Sequence, residues 1–240
     1  MTAPLEAIRA GLSDVAIMLD FDGTLAPIVP RPEDAAPLPA AAATLASLAR
    51  RARVVAVITG RPASFVHHVL PVPALEVIGV YGAEAAPPLD DAVIRAVTAA
   101  AAEVPEATIE DKRVSVAVHV RGIEDLEAIG GLEDALRAIA AAHDLVWFAG
   151  KRVIEIARPG PRKGGAVTQM LDRYAPSGAL YAGDDLEDAD AFAALEPLRD
   201  GGGPILRIAV RSSETPGALL DAADLSVEGP EGLLAILAGL

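Results

Sequence analysis

Residues Val15-Ala16-Ile17-Met18-Leu19 run directly into Asp20-Phe21-Asp22-Gly23-Thr24. An unbroken apolar run of this length suits a strand buried on both faces, as in a parallel sheet covered by helices. Two carboxylates therefore leave the end of a buried strand, and a glycine turn follows at once. In an open α/β sheet that carboxyl edge is where ligands bind. Two acids one residue apart can divide a reaction, one attacking while the other handles protons. The plainer alternative is an acidic turn, since Asp and Gly are ordinary turn residues.

The rest of the chain sets this strand in a rhythm. Residues 40–50 predict an alanine-rich helix with Leu45 and Leu48 inward. Residues 54–58 predict a second strand ending in Thr59-Gly60-Arg61, 62–69 a helix begun by Pro62, and 76–80 a third strand. Such alternation argues for a parallel sheet with helices on its faces. Pro87-Pro88 then breaks the chain. Residues 90–103 read as a helix, and 108–111 with 114–121 as an antiparallel pair. Residues 124–142 read as a helix with apolar positions at Leu126, Ile129, Leu132, Leu136 and Ile139, and 145–149 with 152–157 as a hairpin across Gly150-Lys151. Pro159-Gly160-Pro161 marks the exit. The first rhythm then resumes with a helix at 164–174, strands at 179–182 and 205–210, and helices at 188–195, 216–222 and 230–237. The expectation is an α/β fold. A Rossmann-like parallel-sheet core, residues 1–86 and 159–240, is split by a small α+β module at 87–158.

Composition narrows the function. With 20 basic residues against 34 acidic ones the net charge is −14, which lacks the basic footprint of non-specific nucleic-acid binding. No run approaches a membrane span, Met1-Thr2-Ala3-Pro4 lacks the basic-then-apolar order of a signal segment, and there is no cysteine for disulfides or thiolate metal sites. A cytoplasmic, membrane-free protein is expected, with a monomer as the working state. The same acidity repels a phosphate substrate, so local cations would have to overcome it. Only Lys112, Lys151 and Lys163 are lysines.

Three further strings fall at strand ends or helix starts. Thr59, in Val57-Ile58-Thr59-Gly60-Arg61, offers a hydroxyl beside backbone N–H groups, suited to phosphate or, more plainly, to capping the helix. Lys163, in Pro161-Arg162-Lys163-Gly164, sits just before a helix whose dipole opposes a cation. It therefore either finds an anionic partner or stays solvated. Asp184, Asp185, Glu187 and Asp188 follow the strand at 179–182. So many acids repel one another unless they share a cation, and Mg²⁺ is the hard, oxygen-seeking ion that fits; a solvated acidic helix start is the alternative.

Asp20-Phe21-Asp22-Gly23-Thr24, Thr59-Gly60-Arg61, Lys163-Gly164 and Gly183-Asp184-Asp185, in that order, resemble the four motifs of the haloacid dehalogenase superfamily of phosphohydrolases. The inserted module lies where that superfamily carries its C2-type cap. Glu110-Asp111-Lys112, Ser115, His119-Val120-Arg121 and Glu155-Ile156-Ala157-Arg158-Pro159, with Leu25-Ala26-Pro27 after the first motif, resemble the trehalose-6-phosphate phosphatase family. The resemblance spans about Asp20 to Phe192 and implies a Mg²⁺-dependent phosphatase forming an aspartyl phosphate. In it Asp20 attacks, Asp22 moves protons, and Thr59 and Lys163 grip the phosphoryl group. Gly60, Arg61, Glu110, Lys112 and Glu155 bind substrate. Asp20, the carbonyl of Asp22, Asp184 and, through water, Asp188 hold the metal. Without the resemblance, Glu110 and Lys112 read as an exposed ion pair on a strand edge, His119 as a packed strand residue and Arg121 as a surface charge.

The chain departs from the family pattern at Tyr81, where His is usual, at Glu187 and Ala189 in the fourth motif, and at Val120. Another sugar phosphate (sucrose phosphate, mannosyl- or glucosyl-phosphoglycerate) therefore stays open as substrate. So do a phosphomutase and a non-catalytic sugar-phosphate sensor.

Overall fold

The computed structural model of the chain describes residues 2–150, 152–158 and 162–240. Lys151, expected at a hairpin tip, and Pro159-Gly160-Pro161, expected at the module's exit, lie outside them. In chain order the elements are α1 (Ala3–Ala10), β1 (Val15–Leu19), α2 (Ala41–Ala49), β2 (Val54–Ile58), α3 (Ala63–Val69), β3 (Glu76–Ile78) and α4 (Asp91–Ala101). There follow β4 (Thr108–Asp111), β5 (Ser115–His119), α5 (Leu126–Ala142), β6 (Val146–Gly150), β7 (Val153–Ala157), α6 (Lys163–Tyr174) and β8 (Gly178–Gly183). The chain ends with α7 (Glu187–Ala193), α8 (Glu196–Asp200), β9 (Ile205–Arg211), α9 (Gly217–Ala222), β10 (Leu225–Glu228) and α10 (Gly229–Ala238). It divides into two compact units, Met1–Gly82 with Pro161–Leu240, and Ala83–Gly160. No described helix is long and apolar enough to cross a membrane.

The first unit is built on a six-stranded parallel sheet of order β10-β9-β8-β1-β2-β3. β1 lies between β8 and β2, with Ile17 opposite both Leu180 and Val55. Its alternation feeds two cores. Val15, Ile17 and Leu19 pack with α1, α2, α3 and α10, while Ala16 and Met18 pack with α6, α7 and α9. Burial on both faces explains the continuous apolar run, each fully buried Leu or Ile contributing about 1.5–3 kcal/mol. β1 is also where the strand order reverses, so its carboxyl end opens into the crevice that a doubly wound sheet uses for ligands.

β3 is shorter than residues 76–80 predict. Past Ile78 the backbone turns left-handed at three successive residues, Val80 (φ 46°), Tyr81 (φ 53°) and Gly82 (φ 90°). This turn delivers the N–H of Val80 to the carbonyl of Arg61 (3.0 Å) and that of Tyr81 to the carbonyl of Thr59 (3.1 Å). Tertiary hydrogen bonds thus override the β preference of Val. Helices α1 and α8 and strand β10 are additional to the sequence reading. All are short, and β10 is an edge strand with only Leu225 and Val227 packed against the core.

The second unit holds an antiparallel sheet of order β4-β5-β7-β6. Val116, Val118, Ile154 and Ile156 face α4 and α5, meeting Val93, Val97, Leu132 and Leu136. On the other face the register sets Glu110 and Glu155 on either side of Ala117, and Phe148 beside Glu155. Asp125 caps α5 by accepting from the N–H groups of Glu127 and Ala128, and Leu126, the first residue inside, is 68% exposed rather than part of the apolar stripe.

The short last strand is pinned electrostatically. Arg207 of β9 donates to Asp224 through Nε (3.0 Å), Nη2 (2.8 Å) and its backbone N–H (2.9 Å), and to Glu196 through Nη1 (2.7 Å). Burial pushes the Asp224 carboxyl up, but these donors outweigh it and hold it below the ordinary range. Because the folded value is depressed, this stabilisation is present above the unfolded value of about 3.9 and is lost as pH falls through the folded value. Asp224→Ala should lower stability by about 1–3 kcal/mol. It should also flatten the acid limb of a pH–stability curve measured by thermal melting.

Candidate active site

The carboxyl ends of β1 and β8 bring four acids around one ammonium. Asp20 continues β1, its N–H donating to the carbonyl of Ala182 (2.9 Å). Lys163, first residue of α6, is 2% exposed, and its Nζ lies 2.7 Å from Asp188 Oδ1, 3.0 Å from Asp20 Oδ1 and 3.5 Å from Asp185 Oδ1. The solvated alternative for Lys163 is thereby removed. Burial alone would lower its pKa, but the three carboxylates hold it well above the usual lysine value. A cation at a helix start is tolerated because these anions outweigh the dipole.

Asp184, 0% exposed, completes the group. Thr24 Oγ1 lies 3.5 Å from Asp20 Oδ2 and 3.4 Å from Asp184 Oδ1, a loose bridge between the two strand ends. Oxygens of Asp20, Asp184 and Asp188 lie within 4.8 Å of one another, and among the described residues they form the one such cluster of potential metal ligands. Burial, with the neighbouring Asp184, Asp185 and Asp22 charges, outweighs the downward pull of Lys163 and raises the Asp20 carboxyl to about 8. Buried carboxylates in excess over one ammonium form an all-oxygen, anionic donor set, which fits a hard divalent cation.

Asp188 is differently placed. Its Oδ1 accepts from Lys163 (2.7 Å) and from the buried phenol of Tyr181 (2.9 Å), and its Oδ2 from the backbone N–H groups of Asp184 (2.8 Å) and Asp185 (2.9 Å). Four donors occupy both oxygens, so the ionised carboxylate is the form that fits, although burial pushes its pKa up. Gly183 makes room for it, since a Cβ there would lie 2.1 Å from Asp188 Cγ.

Asp22 stands on the outer side, its side chain 32% exposed, in a bidentate pair with Arg61 (Nε–Oδ2 2.8 Å, Nη2–Oδ1 2.7 Å). Arg61 also donates to the carbonyl of Pro32 (2.6 Å) and lies 4.7 Å above the Phe65 ring. Thr59 is buried one residue past β2, its hydroxyl accepting from the N–H of Arg61 (3.1 Å). Gly60 lies against Tyr81, where a Cβ would come 2.7 Å from the phenol oxygen.

In the second unit the pairing differs from that read off the sequence. Glu110 joins His119 (3.0 Å) and not Lys112, a diagonal contact across β4 and β5. Lys112 joins Glu155 (2.9 Å), and both side chains are largely buried, so an exposed strand-edge pair is not what forms. Ser115 Oγ is buried with no hydrogen-bond partner among the described residues. Sequence reasoning placed Thr24 in the first motif without giving it a role, and it missed Tyr181. The signal for Tyr181 was a polar-tipped ring inside a strand otherwise of small and aliphatic residues, where a buried hydroxyl requires a partner.

A family profile described as "Trehalose-phosphatase" matches residues 18–222. A "Trehalose-phosphate phosphatase" of Mycobacterium avium is 36% identical over 213 residues, covering 79% of this chain and 52% of its own length. An "uncharacterized glycosyl hydrolase" of Mycobacterium tuberculosis is 36% identical over 204 residues, covering 75% of this chain and 15% of its own length. The chain thus spans about half or less of these curated relatives. The structure of the Candida albicans trehalose-6-phosphate phosphatase C-terminal domain superposes with a TM-score of 0.80 at 21% identity, over 99% of this chain and 96% of that one, a likeness of fold alone.

Gly23 tests the cluster's geometry. Its φ is +81°, and a Cβ would lie 2.0 Å from Asp184 Oδ2. A non-glycine residue in such a conformation costs about 1–3 kcal/mol. Gly23→Ala should therefore push the Asp184 carboxylate out of the cluster and lower the melting temperature by about 2–12 °C, read by thermal melting.

Proposed function

The chain belongs to the trehalose-phosphatase family, and from that premise we propose that it hydrolyses trehalose 6-phosphate to trehalose and phosphate, with Mg²⁺, through an aspartyl phosphate on Asp20. The observation carrying this reading is Lys163, a buried ammonium held within 3.0 Å of Asp20 at the end of the central strand.

Asp20 Oδ attacks phosphorus in line, the P–O bond to the sugar breaks, and Asp22 gives a proton to the departing sugar oxygen. Water then attacks the aspartyl phosphate, Asp22 takes the water's proton, and the Asp20–P bond breaks to release phosphate. Lys163 and the Thr59 hydroxyl stabilise charge on the phosphoryl oxygens. Asp22 has to exchange the Arg61 fork for the sugar oxygen, and two guanidinium N–H groups can then turn to a phosphoryl oxygen beside Gly60. Mg²⁺, held by Asp20, Asp184 and the carbonyl of Asp22, would neutralise phosphoryl charge. Asp188, its oxygens taken by four donors, anchors Lys163 and the turn at Asp184-Asp185; a contact with the ion, direct or through water, would require one of those donors to yield.

Glu110, Lys112 and Glu155 are assigned to the sugar, whose hydroxyls need both acceptors and donors. A second reading, another sugar phosphate, is favoured by Tyr81, Val120, Glu187 and Ala189, which depart from the family pattern. We further place the protein in the cytoplasm, acting on a small molecule as a monomer.

Phosphate release from a panel of sugar phosphates with Mg²⁺ should rank trehalose 6-phosphate first; an equal rate on its rivals would refute the substrate assignment. Asp20→Asn should lower kcat at least about a thousandfold while the protein melts cooperatively, and substantial residual turnover would remove Asp20 from its role. Chelation with EDTA should bring activity to background, Mg²⁺ should restore it, and saturating Mg²⁺ should raise the melting temperature.

A further inference from the structure

We propose that Tyr181 is a positioning residue for phosphoryl transfer, setting how Lys163 is divided between Asp188 and Asp20. This inference rests on the phosphatase reading above.

Tyr181 is fully buried in β8, with Met18 of β1 on one side and Arg207 of β9 on the other. Phe192 of α7 meets its ring edge-on, centroids 6.0 Å apart and planes at 82°, which fixes the direction of the phenol. That phenol donates to Asp188 Oδ1, the same oxygen that Lys163 approaches. One carboxylate oxygen therefore carries a neutral and a charged donor together. The other oxygen holds the backbone of Asp184 and Asp185.

The two donors on Oδ1 compete. By satisfying part of that oxygen's demand, the phenol weakens the hold of Asp188 on the ammonium, which keeps its second contact with Asp20 at 3.0 Å. Without the hydroxyl, Asp188 would draw Lys163 inward, away from Asp20 and from the phosphoryl oxygens. The phenol's hydrogen bond goes to Asp188 and not to Asp20 or Asp184, and drawing the ammonium off Asp20 leaves that carboxylate no poorer a cation ligand, so cation affinity should not fall. The phenol stays a neutral donor because burial, with Asp188 beside it, pushes its ionisation well above the ordinary tyrosine range.

Tyr181→Phe keeps the ring and removes the hydroxyl. The expected result is a kcat lower by about three- to tenfold on p-nitrophenyl phosphate and trehalose 6-phosphate alike. The inhibition constant of inorganic phosphate should rise by a similar factor, while the Mn²⁺ dissociation constant, from electron paramagnetic resonance, should not rise more than twofold. A kcat and a phosphate constant both within twofold of wild type would overturn the proposal. So would a parallel loss of Mn²⁺ binding, which would mark Tyr181 as a general support of the fold. Should Tyr181→Phe fold poorly, Phe192→Leu, which releases the ring's orientation, should give the same phosphate-selective loss in weaker form; an unchanged phosphate constant there would count against the proposal. If the wild type binds phosphate but turns over no monoester, the phosphatase reading fails. Phosphate affinity in Tyr181→Phe still decides the positioning claim.

Discussion

A buried ammonium is the constraint around which the first unit is arranged. Lys163 can stay charged at 2% exposure only because three carboxylates, from two strand ends and the start of α7, converge on it. Desolvating such a charge costs several kcal/mol if it is left unpaired. The central strand, its neighbour β8 and helix α6 therefore have to meet in one register. The aliphatic cores on the two sheet faces fix that register. The ion cluster is what the register makes possible, and it still carries more negative than positive charge. On the proposed reading, a chain of net charge −14 has to grip phosphate, and a divalent cation would answer that excess.

Much of this was legible in the sequence because the relevant signals are local. Val15–Leu19 and Val54–Ile58 are apolar throughout, and doubly covered parallel strands leave no other pattern. The acids of the site follow their strands at once, and so fall at the carboxyl edge whatever the loops do. In the second unit, alternation at residues 114–121 pointed to an antiparallel strand and Gly150-Lys151 to a hairpin, although β5 is buried at four of its five residues rather than half-exposed. The trehalose-phosphatase likeness of the motif strings agrees with the profile over residues 18–222 and with the fold.

What stayed hidden depends on contacts remote in sequence or on backbone geometry. Arg61 and Asp22 are 39 residues apart, and nothing in either string announces their fork. Glu110 reaches His119 because the β4–β5 register places them diagonally, whereas the closer neighbour in sequence, Lys112, turns to Glu155. Tyr181 counted only as one more apolar residue of its strand, since periodicity registers a ring's burial and not where its hydroxyl points. The early end of β3 had no local signal, because Val and Tyr are favoured in extended strands and rare in left-handed backbone.

That left-handed run has a mechanical consequence. Val80 and Tyr81 lace their amides to the carbonyls on either side of Gly60 just before the chain leaves the first unit at Gly82. The tether is short, and its backbone angles leave little slack. A tug on Gly82 is therefore transmitted within two peptide groups to the loop bearing the Thr59 hydroxyl, and a shift of that loop is felt in turn where the polypeptide departs.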